Sequence, residues 1–571
     1  MITDRNQDKT LDHLEVEWQF DADDLDAVGR WLEERSSGPG PSPVSGTTKE
    51  LTDSYYDTED WRFYRAGYAL RVRRDGKDVE ATMKALASPE KDGLKRRREI
   101  SEPLKSGGVK TLTRARGPVG ERIRVLLGKG ELRRLFGVRT RRRIFELRPE
   151  GDESDGSSGE IVVGPEGDIR SKEDESVPAE EVTVDALGGI HRSEIGPALA
   201  EISLDDSKYS GGESRLSRIE VEVVDPGSAD EVAGFVGELR ESLGLTPTET
   251  SKFGTGLSAA GLKPVISPDF GSTEVDGSMS AGAVAFAVLR RHFAKMLIHE
   301  PGVRLGEDPE ELHDMRVATR RLRAALKLYK EFLPKGAEDY ERDLRHFANA
   351  LGDVRDIDVH LERLSEEAPT GDEDLDEVAL ALEERRAEAR RRMLEVLDSD
   401  RYGRFVSSFS GTLRRGRSPA PGGPILEVAP DLVRRRYKKV RKDVKGLAED
   451  SPPEDFHDLR KKGKRLRYAL EPLQGIYGKP AERMVGSLKD VQDELGDVQD
   501  LIIAAALMRE LGLSGDLPPR TVFTLGAMSG RYLREAAEIR ARFLDSKMLR
   551  ALDGGKPWKR LRRSLEKKAG G

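Results

Sequence analysis

His313-Asp-Met-Arg316-Val-Ala-Thr-Arg320-Arg321-Leu-Arg323 recurs 144 residues later as His457-Asp-Leu-Arg460-Lys-Lys-Gly-Lys464-Arg465-Leu-Arg467. The same offset carries Leu351-Gly-Asp-Val-Arg-Asp356 onto Leu495-Gly-Asp-Val-Gln-Asp500, and Arg290, Arg291, Phe293 and Lys295 onto Arg434, Arg435, Tyr437 and Lys439. No gap is needed from 289 to 356, so a structural unit is duplicated. On a helix turning about 100° per residue, His313, Arg316, Arg320, Arg323 and Lys327 share a stripe roughly 80° wide. Met315, Ala318, Leu322, Ala325, Leu326 and Tyr329 occupy the adjoining arc. His457, Arg460, Lys464 and Arg467 repeat the stripe, and Leu459, Leu466, Ala469, Leu470 and Leu473 the arc. Like charges at i,i+4 cost about 0.2–0.5 kcal/mol a pair, which fold stability does not ask for. A bound polyanion does, and recurrence in register favours it over a merely solvated basic face.

The rest of the chain bounds this reading. At 571 residues it holds several domains, and 35% charged against 36% hydrophobic residues suits helix-rich, ion-paired surfaces. The formal net charge of −8 is opposite in sign to a general nucleic-acid binder, so any polyanion site is local. Aromatic residues are only 6% and do not interrupt the basic stripes, which argues against single-stranded nucleic acid as the main ligand. There are no cysteines, hence no disulfides and no thiolate metal sites. No leader-like or membrane-spanning apolar stretch is present, and a soluble, cytoplasmic protein is expected. Residues 11–256 read as short strands, 257–277 as a linker and 278–568 as long helices. The Gly/Ser/acidic stretch at 149–159, continuing through 164–180, reads as a hairpin excursion or insertion.

In the first half, Leu14, Val16, Trp18 and Phe20 alternate with Glu15, Glu17 and Gln19; Leu70 and Val72 with Arg71 and Arg73; Met83 and Ala85 with Thr82 and Lys84. Arg97 and Glu99 share a face; Ile202 and Leu204 oppose Glu201 and Asp205; Ile219, Val221 and Val223 oppose Glu220 and Glu222. Each strand therefore has one apolar and one charged face. One such strand is an ordinary half-solvated sheet edge. Across six strands the charges sort into carboxylate pairs near both ends and cations between them. Closed into a barrel, they would oppose donors for a hard divalent ion to donors for phosphate oxygens. No Gly-x-x-x-x-Gly-Lys-Ser/Thr loop is present.

Together, Glu15-Val-Glu17, Tyr55-Tyr-Asp-Thr58, Ala69-Leu-Arg-Val-Arg73, Lys84, Arg97-x-Glu99, Leu204-Asp205 and Ile219-Glu-Val-Glu222 resemble the CYTH family of triphosphate tunnel metalloenzymes. The resemblance implies an α+β closed, antiparallel, eight-stranded tunnel that hydrolyses triphosphates with Mg²⁺ or Mn²⁺. By position it assigns the metal to Glu15, Glu17, Glu99, Glu201, Asp205, Glu220 and Glu222. Phosphates fall to Arg71, Arg73, Lys84, Arg97, Arg143 and Lys252, with Glu15, Glu17 and Lys84 as catalytic residues. The chain departs from the family's opening Glu-x-Glu-x-Lys at Gln19, and Ser101 stands where a second carboxylate is common after Glu99.

The repeated helices and the paired Leu-Gly-Asp-Val turns resemble the CHAD domain. That resemblance implies an all-α pair of pseudo-symmetric four-helix bundles binding inorganic polyphosphate. By position the ligand falls to Arg290, Arg291, His313, Arg316, Arg320, Arg321, Arg323 and Lys327 in the first copy. In the second it falls to Arg434, Arg435, Lys439, His457, Arg460, Lys464, Arg465 and Arg467. The two histidines are read as phosphate donors or packed residues rather than transition-metal ligands. Leu351-Gly-Asp-Val is read as a helix-terminal turn with Asp caps. The basic segment from Trp558 is read as a last bundle helix. The function expected is polyphosphate binding joined to a tunnel for triphosphate or chain ends. Alternatives are processing of a nucleotide or thiamine triphosphate, and a non-enzymatic scaffold on polyphosphate granules.

Overall fold

The computed structural model describes residues 12–86, 91–150, 198–210, 214–224, 226–367, 373–416, 422–515 and 517–570, with strand fragments between 162 and 193. The Gly/Ser/acidic excursion falls largely outside the described residues. Two compact units meet between Val265 and Ile266.

The first unit closes eight antiparallel strands: β1 (Asp12–Asp21), β2 (Ser42–Asp57), β3 (Tyr68–Asp75), β4 (Asp78–Ala85), β5 (Leu94–Pro103), β6 (Arg133–Arg148), β7 (Ala200–Tyr209) and β8 (Arg215–Val223). The order is β1-β5-β4-β3-β2-β6-β7-β8, and β8 returns to pair with β1, Glu17 opposite Glu222 and Gln19 opposite Glu220. Helices α1 (Leu25–Arg35), α2 (Pro118–Leu127), α3 (Ala229–Leu243) and α4 (Lys252–Ala259) lie around it.

Alternation decides what goes inside. Trp18, Phe20, Phe145, Leu147, Ile202, Leu204, Ile219 and Val221 are buried on the outer face with Val28 and Leu32 of α1 and Val232, Phe235 and Leu239 of α3. Each such side chain contributes roughly 1.5–3 kcal/mol when buried. A one-residue slip of β1 or β8 would put glutamates under the helices instead. The charged faces are left to the lumen. Asp24 fixes the start of α1 by accepting from the N–H groups of Asp26 (2.8 Å) and Ala27 (3.0 Å). α4 crosses Phe136 at Gly256, where a Cβ would lie 2.0 Å from the ring. Only glycine allows that approach, and it sets the position of Lys252 one turn earlier.

The second unit is all-helical: α5 (Ala281–Leu305), α6 (Pro309–Leu328), α7 (Ala337–Glu367), α8 (Glu373–Leu397), α9 (Asp400–Arg415), α10 (Ile425–Gly446), α11 (Pro453–Leu470), α12 (Lys479–Gly512), α13 (Pro519–Leu544) and α14 (Lys556–Ala569). The starts of α5 and α10, and of α6 and α11, are separated by the 144-residue sequence offset. α6 opens on Asp308, which caps Glu310 N–H at 2.9 Å with Pro309 in the first turn. α5 stops at Gly306, whose φ of 71° only glycine adopts freely. The apolar arcs read from the sequence are buried: Met315, Leu322, Leu326, Leu459, Leu466 and Leu470 share one core. Trp558 of α14 stacks on Tyr437 at 3.6 Å, so this basic segment packs into the same core.

One expectation is corrected. Leu351-Gly-Asp-Val and Leu495-Gly-Asp-Val are not helix-terminal turns; they lie inside α7 and α12. Arginines lie over both glycines, closely at one of them. A Cβ at Gly496 would sit 2.9 Å from the Arg460 guanidinium, and one at Gly352 would lie 3.7 Å from that of Arg316. At Gly496 the space is taken by the Arg460 guanidinium, whereas at Gly352 the distance is one of ordinary contact.

Candidate phosphate-binding lumen and basic helices

Two ion-pair networks fill the barrel. In the first, Lys84 Nζ donates to Glu15 at 2.6 Å and lies 3.1 Å from Glu99 and 3.7 Å from Glu17. Arg97 bonds Glu15 (3.2 Å) and Glu17, and Arg71 reaches Glu99 at 3.7 Å. In the second, Arg142 holds Asp205 through two bonds of 2.8 Å, Glu220 at 2.7 Å and Glu201 at 3.7 Å. Lys252 reaches in from α4 to Asp205 and, at 2.9 Å, to Glu220. Gln19 joins the two, its Nε2 donating to Glu17 (2.8 Å) and Glu220 (3.0 Å). Arg73 stands apart, paired bidentately with the buried Asp53 at 2.9 Å.

Charge and burial compete throughout. Burial alone would lower the Lys84 pKa, but Glu15 and Glu99 outweigh it and hold it above its ordinary value. Burial opposes ionisation of Glu99, yet Lys84 and Arg71 bring it to about 2. Lys252 and Arg142 likewise hold Glu220 well below the carboxylate range against its burial. Glu222 goes the other way: burial, then the charges of Glu15, Glu99 and Glu201, raise it.

Oxygen donors of this kind suit a hard divalent ion, and a cation beside Glu222 would offset the burial and the acidic neighbours that raise it. The arrangement is less complete. Among the described residues no three acidic or histidine side chains converge on a metal position. Glu15, Glu17, Glu99, Glu201 and Glu220, expected to bind metal, are turned on to lysines and arginines.

Arg143 is corrected. Its parity is that of Phe145 and Leu147, so it lies outside the barrel, donating to the Leu25 carbonyl (2.7 Å) and pairing with Asp26 (3.0 Å). Arg142 takes the lumen position. The apolar residues two and four places on carried that signal in the sequence. Asp205, expected as a metal ligand, is fully buried between two cations. Asp53, Lys95 and Arg218 are further lumen residues, paired in register with Arg73, Glu17 and Asp205. Asp57 of Tyr55-Tyr-Asp-Thr58 accepts the N–H groups of Thr58 (2.7 Å), Phe63 (3.0 Å) and Tyr64 (2.9 Å). It ties a turn rather than a ligand.

In the helical unit, α6 and α11 pack against each other. Arg320 Nε donates to Tyr468 Oη at 3.1 Å, and the Arg321 and Arg467 guanidinium groups lie over the Tyr468 ring at 5.6 and 5.4 Å. Lys464 is within the fields of Arg460, Arg320 and Arg467; burial and these charges bring it down to about 7. Asp356 and Asp500 border the cluster, Arg316 pairing with Asp356 at 3.2 Å. Burial, then the nearby Arg355 or Lys461 charge, lowers His313 and His457 below their ordinary value.

The remaining cations are less concentrated. Arg323 and Lys327 share Glu341 at 3.1 and 3.0 Å. Arg290 caps the Leu413 carbonyl at 2.9–3.1 Å, and Arg291 the Thr273 carbonyl at 2.6 Å. Arg434 pairs with Glu566 at 3.4 Å, Arg435 and Arg465 flank Arg436, and Lys439 is exposed. Arg290 is thus a brace. Tyr468, the hub of the cluster, was not singled out from the sequence, because its position on the wheel looked no different from any polar neighbour.

The CYTH domain family matches residues 30–252 and the CHAD domain family residues 287–509. Among solved structures, the CHAD domain from the plant Ricinus communis is 24% identical, covering 52% of this chain and 96% of its own, with a TM-score of 0.42. PptA from Streptomyces chartreusis is 18% identical over 47% of this chain and 100% of its own, TM-score 0.38. HpAC1 from Hippeastrum, described as having a dominant triphosphatase activity, is 16% identical over 43% and 95%, TM-score 0.28. No curated protein matches the chain. Among the described residues no helix is long and apolar enough to cross a membrane. The chain carries a CYTH domain followed by a CHAD domain.

Proposed function

We propose that the helical unit binds inorganic polyphosphate and that the barrel takes a triphosphate or a polyphosphate chain end and hydrolyses it with a divalent ion. The observation that carries this is the meeting of α6 and α11, where Arg320, Arg460, Lys464 and Arg467 share one electrostatic field. The duplicated helix order supports reading the unit as two pseudo-symmetric bundles whose equivalent basic helices form one ligand surface. A flexible polymer with about one charge per phosphate matches such a surface through counterion release, without base readout. In the lumen, Arg71, Lys84, Arg97 and Arg142 would exchange carboxylate for phosphate oxygens. Glu15, Glu17, Glu220 and Glu222 would hold Mg²⁺ or Mn²⁺, which neutralises phosphate charge and activates water when bound. Gln19 favours a second reading, a lumen that binds without turnover.

Titration of long-chain polyphosphate into the full chain tests the helical assignment, and its pH dependence tests it further. Bound phosphate favours the charged form of Lys464, so binding takes up a proton above about pH 7, and affinity falls as the pH rises from 6 to 9. Lys464→Gln flattens that dependence. An unchanged profile in the variant removes Lys464 from the site. The sign for stability is opposite. Below pH 7 the ammonium is charged in both states and penalises the fold; stability rises as pH increases from about 7 toward the ordinary lysine value of 10.5.

A further inference from the structure

Lys95 differs from the other lumen cations. It is 2% exposed, on β5, and its Nζ donates to the amide oxygen of Gln19 at 2.6 Å. Among the described residues no carboxylate lies within ion-pair distance of it. Gln19 cannot reverse this polarity, because its Nε2 is already committed to Glu17 and Glu220 at 2.8 and 3.0 Å. Arg218 of β8, 1% exposed, lies opposite Asp21, two residues along β1 from Gln19 and on the same face. Arg218 Nε and Nη2 bond Asp21 at 3.2 and 3.1 Å, and Nη2 also bonds Thr248 Oγ1 at 2.8 Å. Its Nη1 is buried without a hydrogen-bond partner. Burial, then the Arg218 charge, brings the Lys95 ammonium down to about 8, against the pull of Glu220 and Asp21.

Buried polar groups are as a rule paired, and buried charges balanced. Here the ammonium touches only a neutral amide, with the Glu220 and Asp21 carboxylates acting on it from beyond contact, and the nearby guanidinium has a spare donor. We propose that Lys95 and Arg218 form an anion subsite at the Gln19 end of the lumen, for a tetrahedral phosphate group. The inference rests on the barrel being a triphosphate site, and it names where one end of that ligand, or released orthophosphate, is held. Gln19 becomes a positioning residue: it orients Lys95 and links it to both carboxylate networks.

Calorimetry on the full chain with two probes, tripolyphosphate and orthophosphate, tests this. Lys95→Gln is expected to weaken tripolyphosphate about tenfold, the loss of one charge-assisted contact, and to abolish orthophosphate binding. Because Nζ lies 2.6 Å from the Gln19 amide, Gln19→Lys with Lys95→Gln puts the charge back in nearly the same place and is expected to restore affinity to within about threefold of the wild type. A merely structural role for Lys95 would give no such rescue. Wild-type affinity in a folded Lys95→Gln variant overturns the subsite and leaves the triphosphate site standing. Orthophosphate bound by the wild type and lost in Lys95→Gln, with tripolyphosphate not bound, supports the subsite and overturns the triphosphate reading. Binding of neither probe overturns both.

Discussion

Arg320→Glu combined with Lys464→Glu is expected to lower the affinity for long-chain polyphosphate about 100-fold near physiological salt, with the helical content unchanged. The two residues are equivalent in the repeat and lie in one field where α6 meets α11. Each contact to phosphate releases counterions, and reversal adds repulsion to the lost contact. The milder Arg320→Gln with Lys464→Gln should reduce the salt slope of log affinity by about 1.4, the amount for two contacts on a flexible polyanion. The fold has little to lose: both side chains are only partly buried and both already repel neighbouring cations. Affinity that is unchanged at low salt would remove the meeting of α6 and α11 from the site.

Asp205→Asn is expected to destabilise the barrel by about 3–5 kcal/mol, the cost of breaking a buried ion pair and leaving its cation behind. Asp205 has no exposed surface and accepts from Arg142 at 2.8 Å through both oxygens while also holding Lys252. The asparagine leaves Arg142 and Lys252 to share Glu220. For a unit of this size the unfolding midpoint should fall by about 10 °C, measurable by hydrogen exchange or a thermal scan. The wild-type barrel should also lose stability in acid. Asp205 is depressed in the fold, so its contribution is present above the ordinary carboxylate value and lost as pH falls through the folded one. An unshifted midpoint in the variant would mean the lumen is wet enough to screen the charges.

The outline of both domains was legible because periodicity is a strong signal where one face is buried. The outer apolar residues of β1, β7 and β8 gave the barrel its inside, and the 144-residue repeat gave the helical order. Errors came where the local sequence is uniform. In Arg139-Thr-Arg-Arg-Arg143 the phase is hidden among arginines, and only Phe145 and Leu147 downstream reveal that Arg142, not Arg143, faces inward. Leu351-Gly-Asp-Val contains helix-ending residue types, and the neighbouring helix whose Arg316 packs over Gly352 is a tertiary fact. Lys95 and Arg218 were invisible as a pair because they are 123 residues apart and come on to neighbouring positions of one face only when β8 closes on β1.

The most direct measurement is orthophosphate release from tripolyphosphate and from long-chain polyphosphate with Mg²⁺ or Mn²⁺, beside the Glu15→Gln/Glu17→Gln variant. The expected result is metal-dependent release by the wild type and none by the variant, in which Lys84 and Arg97 keep the lumen positive but two of the four acidic donors are gone. Release that is equal in the two proteins, or absent from both, would contradict a hydrolytic lumen.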